Sequence, residues 1–545
     1  VIAMHAPRRP FVLWPAPGSP AVLGPGERSF EVLVVGGRSA GGPAPLAGDL
    51  ALRRLDTGER VGLAIDSIEP APHDWAKARA AHALALADLE RASSWRLRLS
   101  LAAAPAPAPP RRVAVADLVS SGFGVRSRAV AFCAPGRAPL HIAFASDLHV
   151  AALFDELEAA VERFAPDLVA GFHSPSRHLE RMVEELGARA AQGELDALVL
   201  GGDIVDHAYR VPRRALRGER GEANVVRVIE ALATLPVPSF AIPGNHDFRL
   251  SPWRLRSYGL GELGLPAARV PEILRQAGLW DAWPFVPSDL DALRSRSPDG
   301  RSALAPHLLE LAPRTDSTAT IGDLDLVLAS AGRDVLPRFR SVEKGRRRLL
   351  VAALATSWIH PDLEGLFPEQ LDAIERSLEA AARAGRGAAL FVHAPLLQPP
   401  DSGSVEERIP RLDPPVEDSL GSDIAFERAL RRSGLRRGVI FRHPARLVRA
   451  LLWAGGDVAL FAGHVHRGHA IELSRSDRSL RSTPFAAARS DAERIALLTT
   501  PALGQTNFRG DEVPGFLVAR FESGSLRGVE RVAVRADPSD SAERA

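Results

Sequence analysis

Five short apolar runs in this chain each stop at a turn containing Gly, Asp, Asn or His. His141 to Phe144 runs into Ser146-Asp147-Leu148-His149, and Ala197 to Leu200 runs into Gly201-Gly202-Asp203. Val237 to Ile242 precedes Pro243-Gly244-Asn245-His246-Asp247. Ala388 to Val392 delivers His393, and Val458 to Phe461 delivers Gly463-His464-Val465-His466. Short apolar runs bounded by turn residues predict buried strands, and Leu324 to Leu328 predicts one more. Helical spacing lies between them, over Glu222 to Leu235, Glu369 to Ala384 and Pro444 to Ala454. Strands alternating with helices imply a layered α/β domain. Open sheets of that kind bind ligands beyond the C-terminal ends of their strands. Each polar turn falls at such a place, so one shared site is expected.

The residue types say what the site could hold. Asp147 and His149 lie two residues apart, so on an extended chain both side chains leave the same side. An Asp-x-His pair alone reads as a solvated turn; its weight comes from the four later turns. Together they supply Asp147, His149, Asp203, Asn245, His393, His464 and His466, with no thiolate. That set is too large for one tetrahedral ion and suits two ions sharing a carboxylate, with Mn, Fe or Zn as fitting metals. Two ions about 3.5–4 Å apart clamp a phosphate and lower the pKa of a water between them. His246, beside Asn245, is left free to donate a proton to a departing oxygen.

Asp147-Leu-His149, Gly202-Asp-Ile-Val-Asp206, Gly244-Asn-His-Asp247, the lone His393 and Gly463-His-Val-His466, in that order, resemble the calcineurin-like metallophosphoesterase family over roughly residues 141–475. The resemblance implies a four-layer α-β-β-α sandwich that cleaves phosphate monoesters or phosphodiesters. It implies Asp147, His149, Asp203 and His466 around a first metal. Asp203, Asn245, His393 and His464 would surround a second, with Asp203 bridging. His246 would be the proton donor, Asp247 would orient it, and Asp206 would support the ligands by a hydrogen bond. Arg249 and Arg467 border the site and are candidate phosphate contacts, as is His469 for substrate. His173, His178, His207 and His443 are expected on the surface or in packing.

Residues 1–138 read differently. Phe30 to Val35 is strand-like, Leu52 to Leu55 and Val61 to Ile65 flank the hairpin signal Asp56-Thr57-Gly58, and Trp95 to Leu99 alternates apolar and polar. A small all-β, sandwich-like N-terminal domain is expected there. A Pro/Ala run from Ala104 to Pro110 and two further short strands, Val113 to Val115 and Ala129 to Phe132, precede the second domain, residues 139–545. All candidate ligands follow Pro139, so a chain starting there is expected to fold alone. Insertions about 151–195 and 248–320 interrupt the second domain. The first carries an amphipathic helix with Leu153, Leu157 and Val161, then a loop with His173 and His178; the second carries Trp253, Tyr258, Trp280, Trp283 and Phe285.

Charge narrows the partners. The pI near 9.1 accompanies a net charge of only +2, because Arg dominates the cations and does not deprotonate in the accessible range. No dense basic tract with interleaved aromatics is present, so specific nucleic-acid binding is not expected. No apolar run approaches the ~18–20 residues of a membrane span, and Phe11 to Trp14, cut by Pro15 and Pro17, is too short for an export signal. A soluble, cytoplasmic protein is the expectation, with export and oligomeric state left open. The single Cys133 rules out an intrachain disulfide and a Cys-based zinc site. The favoured function is a dinuclear phosphohydrolase. The alternatives are a silent metal-binding protein on the same fold, which predicts a missing ligand, and an adhesive role for the N-terminal sandwich.

Overall fold

The computed structural model describes residues 11–35, 49–71, 94–108, 111–122, 124–135, 139–207, 224–248, 260–280, 316–329, 368–398, 443–505 and 512–534. The short pieces 311, 366, 406–408 and 436–437 are described as well.

The N-terminal region contributes β1 (Phe11–Trp14), β2 (Ala21–Leu23), β3 (Ser29–Val35), β4 (Ala51–Arg54), β5 (Arg60–Pro70), β6 (Ser94–Leu101), β7 (Val113–Ser120) and β8 (Gly124–Cys133). They form one sheet in the order β1-β3-β6-β5-β4-β7-β8-β2. Alternation decides which side chains go inward: Leu97 and Leu99 of β6 meet Val32 and Val34 of β3. The same cluster holds Ala114, Ala116 and Leu118 of β7 with Val130 and Phe132 of β8, so the sheet curls over a single core. The expected hairpin joins β4 to β5, with Arg53 opposite Arg60.

From Leu140 onward the chain builds two facing sheets. The first part carries β9 (Leu140–Ala145), α1 (Ala152–Phe164), α2 (Pro175–Gln192), β10 (Ala197–Leu200), α3 (Asn224–Leu232), β11 (Ser239–Ala241) and α4 (Val270–Gln276). Next come β12 (Asp316–Ile321), β13 (Leu324–Ala329), α5 (Pro368–Arg383), β14 (Gly387–Val392), β15 (Leu397–Gln398), β16 (Glu406–Arg408), β17 (Arg436–Arg437) and α6 (Pro444–Trp453). The chain closes with β18 (Val458–Ala462), β19 (His469–Ser474), β20 (Ser479–Ser482), β21 (Arg494–Thr499), β22 (Gly515–Glu522) and β23 (Ser525–Ala533). One sheet runs β11-β10-β9-β22-β23 and the other β12-β13-β14-β18-β21-β19-β20-β16. The strands that end at candidate ligands, β9, β10 and β11 in one and β14 and β18 in the other, are parallel to their neighbours in those groups.

Period-two alternation makes the layers. Phe144, Val199, Phe391 and Phe461 point between the sheets into one core. Ala143, Leu198 and Leu200 point outward under α2 and α3, and Leu390, Val392 and Leu460 point outward under α5 and α6. Three stacked cores therefore give four layers, α-β-β-α. At the centre, Phe144 lies 5.5 Å from Phe391 and 5.6 Å from Phe461 between ring centroids. Such rings carry large buried areas in favourable tilted geometry.

The two regions share more than a linker. Val113, Val115, Ala131 and Cys133 of the N-terminal sheet sit in the same core as Leu140, Phe144 and Phe521. Arg112 reaches Asp196 at 2.8 Å, just ahead of β10. In the first insertion, α1 buries Leu153, Leu157 and Val161 as its spacing implies. His178, read as a loop residue, lies on α2, because Ser174 caps Arg177 N and Pro175 starts the helix a turn earlier. In the second insertion α4 is described; Trp253, Tyr258, Trp283 and Phe285 lie outside the described residues.

Candidate metal centre

Each candidate side chain leaves a strand end, and the turns are interlocked by their own backbones. Asp147 N donates to Gly202 O and His149 N to Asp203 O, both at 2.9 Å, which zips the turn after β9 to the turn after β10. The extended geometry expected for Asp147-x-His149 is not what is found. Asp147, His149, Asp203, His464 and His466 all have positive φ, between 49° and 71°. Non-glycine residues rarely adopt that region, and such strain gathers where surrounding contacts over-determine the backbone. Gly463 is required where the last turn crosses the first: a Cβ there would land on Ser146 Oγ and on Asp147 Oδ2.

The side chains gather into two adjoining sets. In one, His149 Nε2 lies 3.2 Å from His466 Nε2, and His466 Nε2 lies 3.5 Å from Asp147 Oδ1. In the other, His393 Nε2 and His464 Nδ1 are each 3.1 Å from Asn245 Oδ1 and 3.2 Å from each other. Asp203 Oδ2 stands between them, 3.4 Å from His393 Nε2 and 3.9 Å from His149 Nε2. Among the described residues, three overlapping groups have ligand atoms mutually within 4.8 Å: Asp147/His149/His466, Asp203/His393/His464 and His149/Asp203/His246.

This donor set fits divalent cations. His393 Nδ1 is 2.8 Å from Gly201 O, and a carbonyl only accepts, so Nδ1 carries a proton and Nε2 is the atom left to face the site, a ligand atom whenever the ring is neutral. Nε2 faces the oxygens of Asn245 and Asp203. Asp147 Oδ1 is buried with no hydrogen-bond partner among the described residues. Among those residues the ion-pair partners of Asp147 and Asp203 are all histidines. Lone pairs and buried negative charge converge on positions where a cation would sit.

The electrostatics agree in direction. Burial works to raise the pKa values of Asp147 and Asp203, yet the neighbouring histidines hold both carboxyls below the usual range. Burial and the neighbouring His393 push His464 down to about 3, which keeps it neutral and able to ligate. Asp247 goes the other way, up to about 7, through burial and the charge of Asp203.

His246 sits beside the ligands with a carboxylate behind it. The carboxylate within hydrogen-bond distance is that of Asp206, 3.0 Å from His246 Nδ1. Asp247, expected to orient His246, instead accepts Val205 N at 2.9 Å and Gly244 N at 2.7 Å, bracing the two turns. Asp206 also takes His207 Nδ1 at 3.0 Å on its other oxygen. His207, expected on the surface or in packing, is fully buried, and Asn224 clamps its carbonyl at 2.7 Å. Its adjacency to Asp206 was the only available sequence signal. Ser146 was overlooked as well; its Oγ donates to Gly201 O beneath Gly463.

Of the substrate-contact candidates, Arg249 lies outside the described residues and Arg467 follows His466, half-buried. His469 is tied into the sheet on β19, 3.0 Å from Thr499 Oγ1 and 3.4 Å from Leu397 O, and burial pushes it down to about 4.

Residues 140–287 match the model of the calcineurin-like phosphoesterase family. Solved structures similar to the chain include a dimetal phosphatase from Danio rerio, 11% identical, with 72% of this chain and 98% of that one covered and a TM-score of 0.33. A purple acid phosphatase from yellow lupin seeds is 12% identical, covering 97% and 75%, with a TM-score of 0.40. A metallophosphoesterase from Sphaerobacter thermophilus is 15% identical, covering 73% and 90%, with a TM-score of 0.23. No curated protein matches. His393, His464 and His466 lie beyond the family match; the fold brings them to Asp147, His149 and Asp203.

Proposed function

We propose that this chain, a calcineurin-like phosphoesterase over residues 140–287, is a dinuclear metal-dependent hydrolase of phosphate esters. The observation that carries the reading is the place of Asp203 Oδ2 between two sets of lone-pair donors. Asp147, His149, Asp203 and His466 would hold one divalent ion; Asp203, Asn245, His393 and His464 would hold the other. Mn, Fe and Zn all suit oxygen and imidazole donors. When bound, such ions neutralise phosphoryl oxygens and make water nucleophilic near neutral pH.

The chain's own residues do the rest. Asp206 holds His246 Nδ1, which fixes the ring so that Nε2 can release a proton to the leaving oxygen. Asp247 fixes the Gly244 turn and so the reach of Asn245 and His246. Residues 1–138 and 139–545 are read as two domains, the second carrying every proposed ligand. A metal-supplemented screen over aryl phosphates, bis-aryl phosphates, nucleotides and phosphopeptides tests the reading. Turnover that needs added Mn, Fe or Zn supports it; metal-bound protein inert to all four classes favours a silent metal-binding protein.

A further inference from the structure

We propose that Gly18 and Arg128, both in the N-terminal β region, are positioning residues for the Asn245–Asp247 turn, acting through β11. The proposal rests on the two-ion reading above. β11 is three residues long and, among the described residues, lies at the edge of its sheet and pairs as a strand with β10 alone. Its other edge is taken by a residue from the first domain: Ala241 N donates to Gly18 O at 2.7 Å. Gly18 N in turn donates to Leu311 O at 2.8 Å. A side chain does not fit there, because a Cβ on Gly18 would meet Leu311 O at 2.6 Å and Ala241 Cβ at 2.9 Å.

The second anchor comes from an irregularity in the N-terminal sheet. The register between β7 and β8 shifts between Ala116 and Leu118, and opposite that shift Arg128 has φ 49°. Bulges bend a strand and re-aim a side chain. Asp117 Oδ1 accepts Arg128 N at 2.9 Å, and the Arg128 side chain leaves the sheet to place Nε 2.6 Å from Leu235 O. Leu235 lies just ahead of β11, so the two contacts bracket the strand. Beyond β11 there is little slack, since a Cβ on Gly244 would already collide with Asp203. A displaced β11 therefore moves Asn245 and His246. It does not move Asp147 and His149, whose turn is zipped to Gly202 and Asp203.

Loosening either anchor should weaken the ion that uses Asn245, and the proton donor, while sparing the other ion. The test uses the full chain as wild type, Arg128→Met, Gly18→Ala and Arg128→Lys, with Arg386→Met as a control. Arg386 pairs with Asp325 at 2.9 Å in the other sheet. Each is titrated with Mn alone and assayed on an alkyl and a nitrophenyl phosphate. Wild type should bind two equivalents. Arg128→Met and Gly18→Ala should keep one and bind the other about 10–100-fold more weakly, the scale of changes just behind metal ligands. Their alkyl-to-nitrophenyl ratio should fall about tenfold or more as the acid is displaced. Lys at 128 should restore both, and Arg386→Met should change neither. Wild-type affinity for both equivalents with an unchanged ratio overturns the proposal, as does equal weakening of both in every variant including the control. Should Arg128→Met not fold, Gly18→Ala decides alone. A wild type that binds no Mn and cleaves neither ester overturns the two-ion reading, and the positioning role with it.

Discussion

The N-terminal sheet and the metal centre both bury carboxylates, and they balance them differently. In the sheet, Asp117 meets Arg53 at 2.6 Å, and Asp56 meets Arg54 at 2.7 Å and Ala108 N at 3.0 Å. In the centre, Asp147 and Asp203 meet only histidines among the described residues, and their backbones are left-handed. A buried charge is costly unless paired. The first region sets its carboxylates against arginines of its own; the second sets them against imidazoles, the donor set proposed above to hold cations. That difference sets the two kinds of carboxylate apart where burial does not, since the side chains of both are almost fully buried.

The largest effect that sharpens this contrast is on turnover. His246→Ala should keep both ions and lose about 10²–10⁴-fold on alkyl phosphates, with little loss on nitrophenyl phosphates, whose leaving groups need no proton. Equal losses on both substrates would move His246 from proton donor to binding or electrostatic stabilisation. Loss of an ion would make it a ligand, as the His149/Asp203/His246 group allows.

A histidine away from the centre should behave as plain core. Burial pushes His178 down to about 4, with its Nδ1 2.8 Å from Leu503 O. The unfolded chain, titrating near 6.5, then binds the extra proton between those values, so stability rises with pH across them. The stabilisation from keeping His178 neutral is complete above about pH 6.5 and lost as pH falls towards 4, by about 2–3 kcal/mol. His178→Gln should flatten that part of the urea-unfolding profile; an unchanged profile would assign the slope to other groups.

A smaller effect tests the contrast head-on. Asp117→Asn should cost about 1–2 kcal/mol, with or without metal, because Arg53 and Arg128 N lose a charged partner. Asp203→Asn in metal-free protein should change stability by less than about 1 kcal/mol, since the amide oxygen can still accept His246 N. Asp203→Asn should instead abolish the rise in Tm on adding Mn. A metal-free Asp203→Asn that is as damaged as Asp117→Asn would erase the distinction.

Much of the centre was legible because its chemistry is written in contiguous turns after apolar runs. Asp147, His149, Asp203, Asn245, His393, His464 and His466 could be picked out one by one, and the fold brings them near one another. What depends on tertiary contact was not legible. The exchange of partners, with Asp206 beside His246 and Asp247 on the backbone, turns on which carboxylate a zipped turn aims where. Left-handed φ at five of the polar residues has no compositional sign, because none of the five is glycine, its usual marker, and a glycine precedes only Asp203 and His464. Six of the eight strands described in the N-terminal region, all but β1 and β2, could be read from short apolar or alternating runs. Their packing into the core of the second region could not, because Val113, Ala131 and Cys133 look like any inward-facing residues.

The most direct test of the central claim counts ions. After Mn loading and removal of free metal, elemental analysis of the wild type should give two equivalents per chain. Asp203→Asn should lose both, since each set uses that carboxylate, and His393→Ala should lose mainly one. No more than one equivalent in fully loaded wild type, or two retained by Asp203→Asn, would contradict the account of a centre built around a shared Asp203.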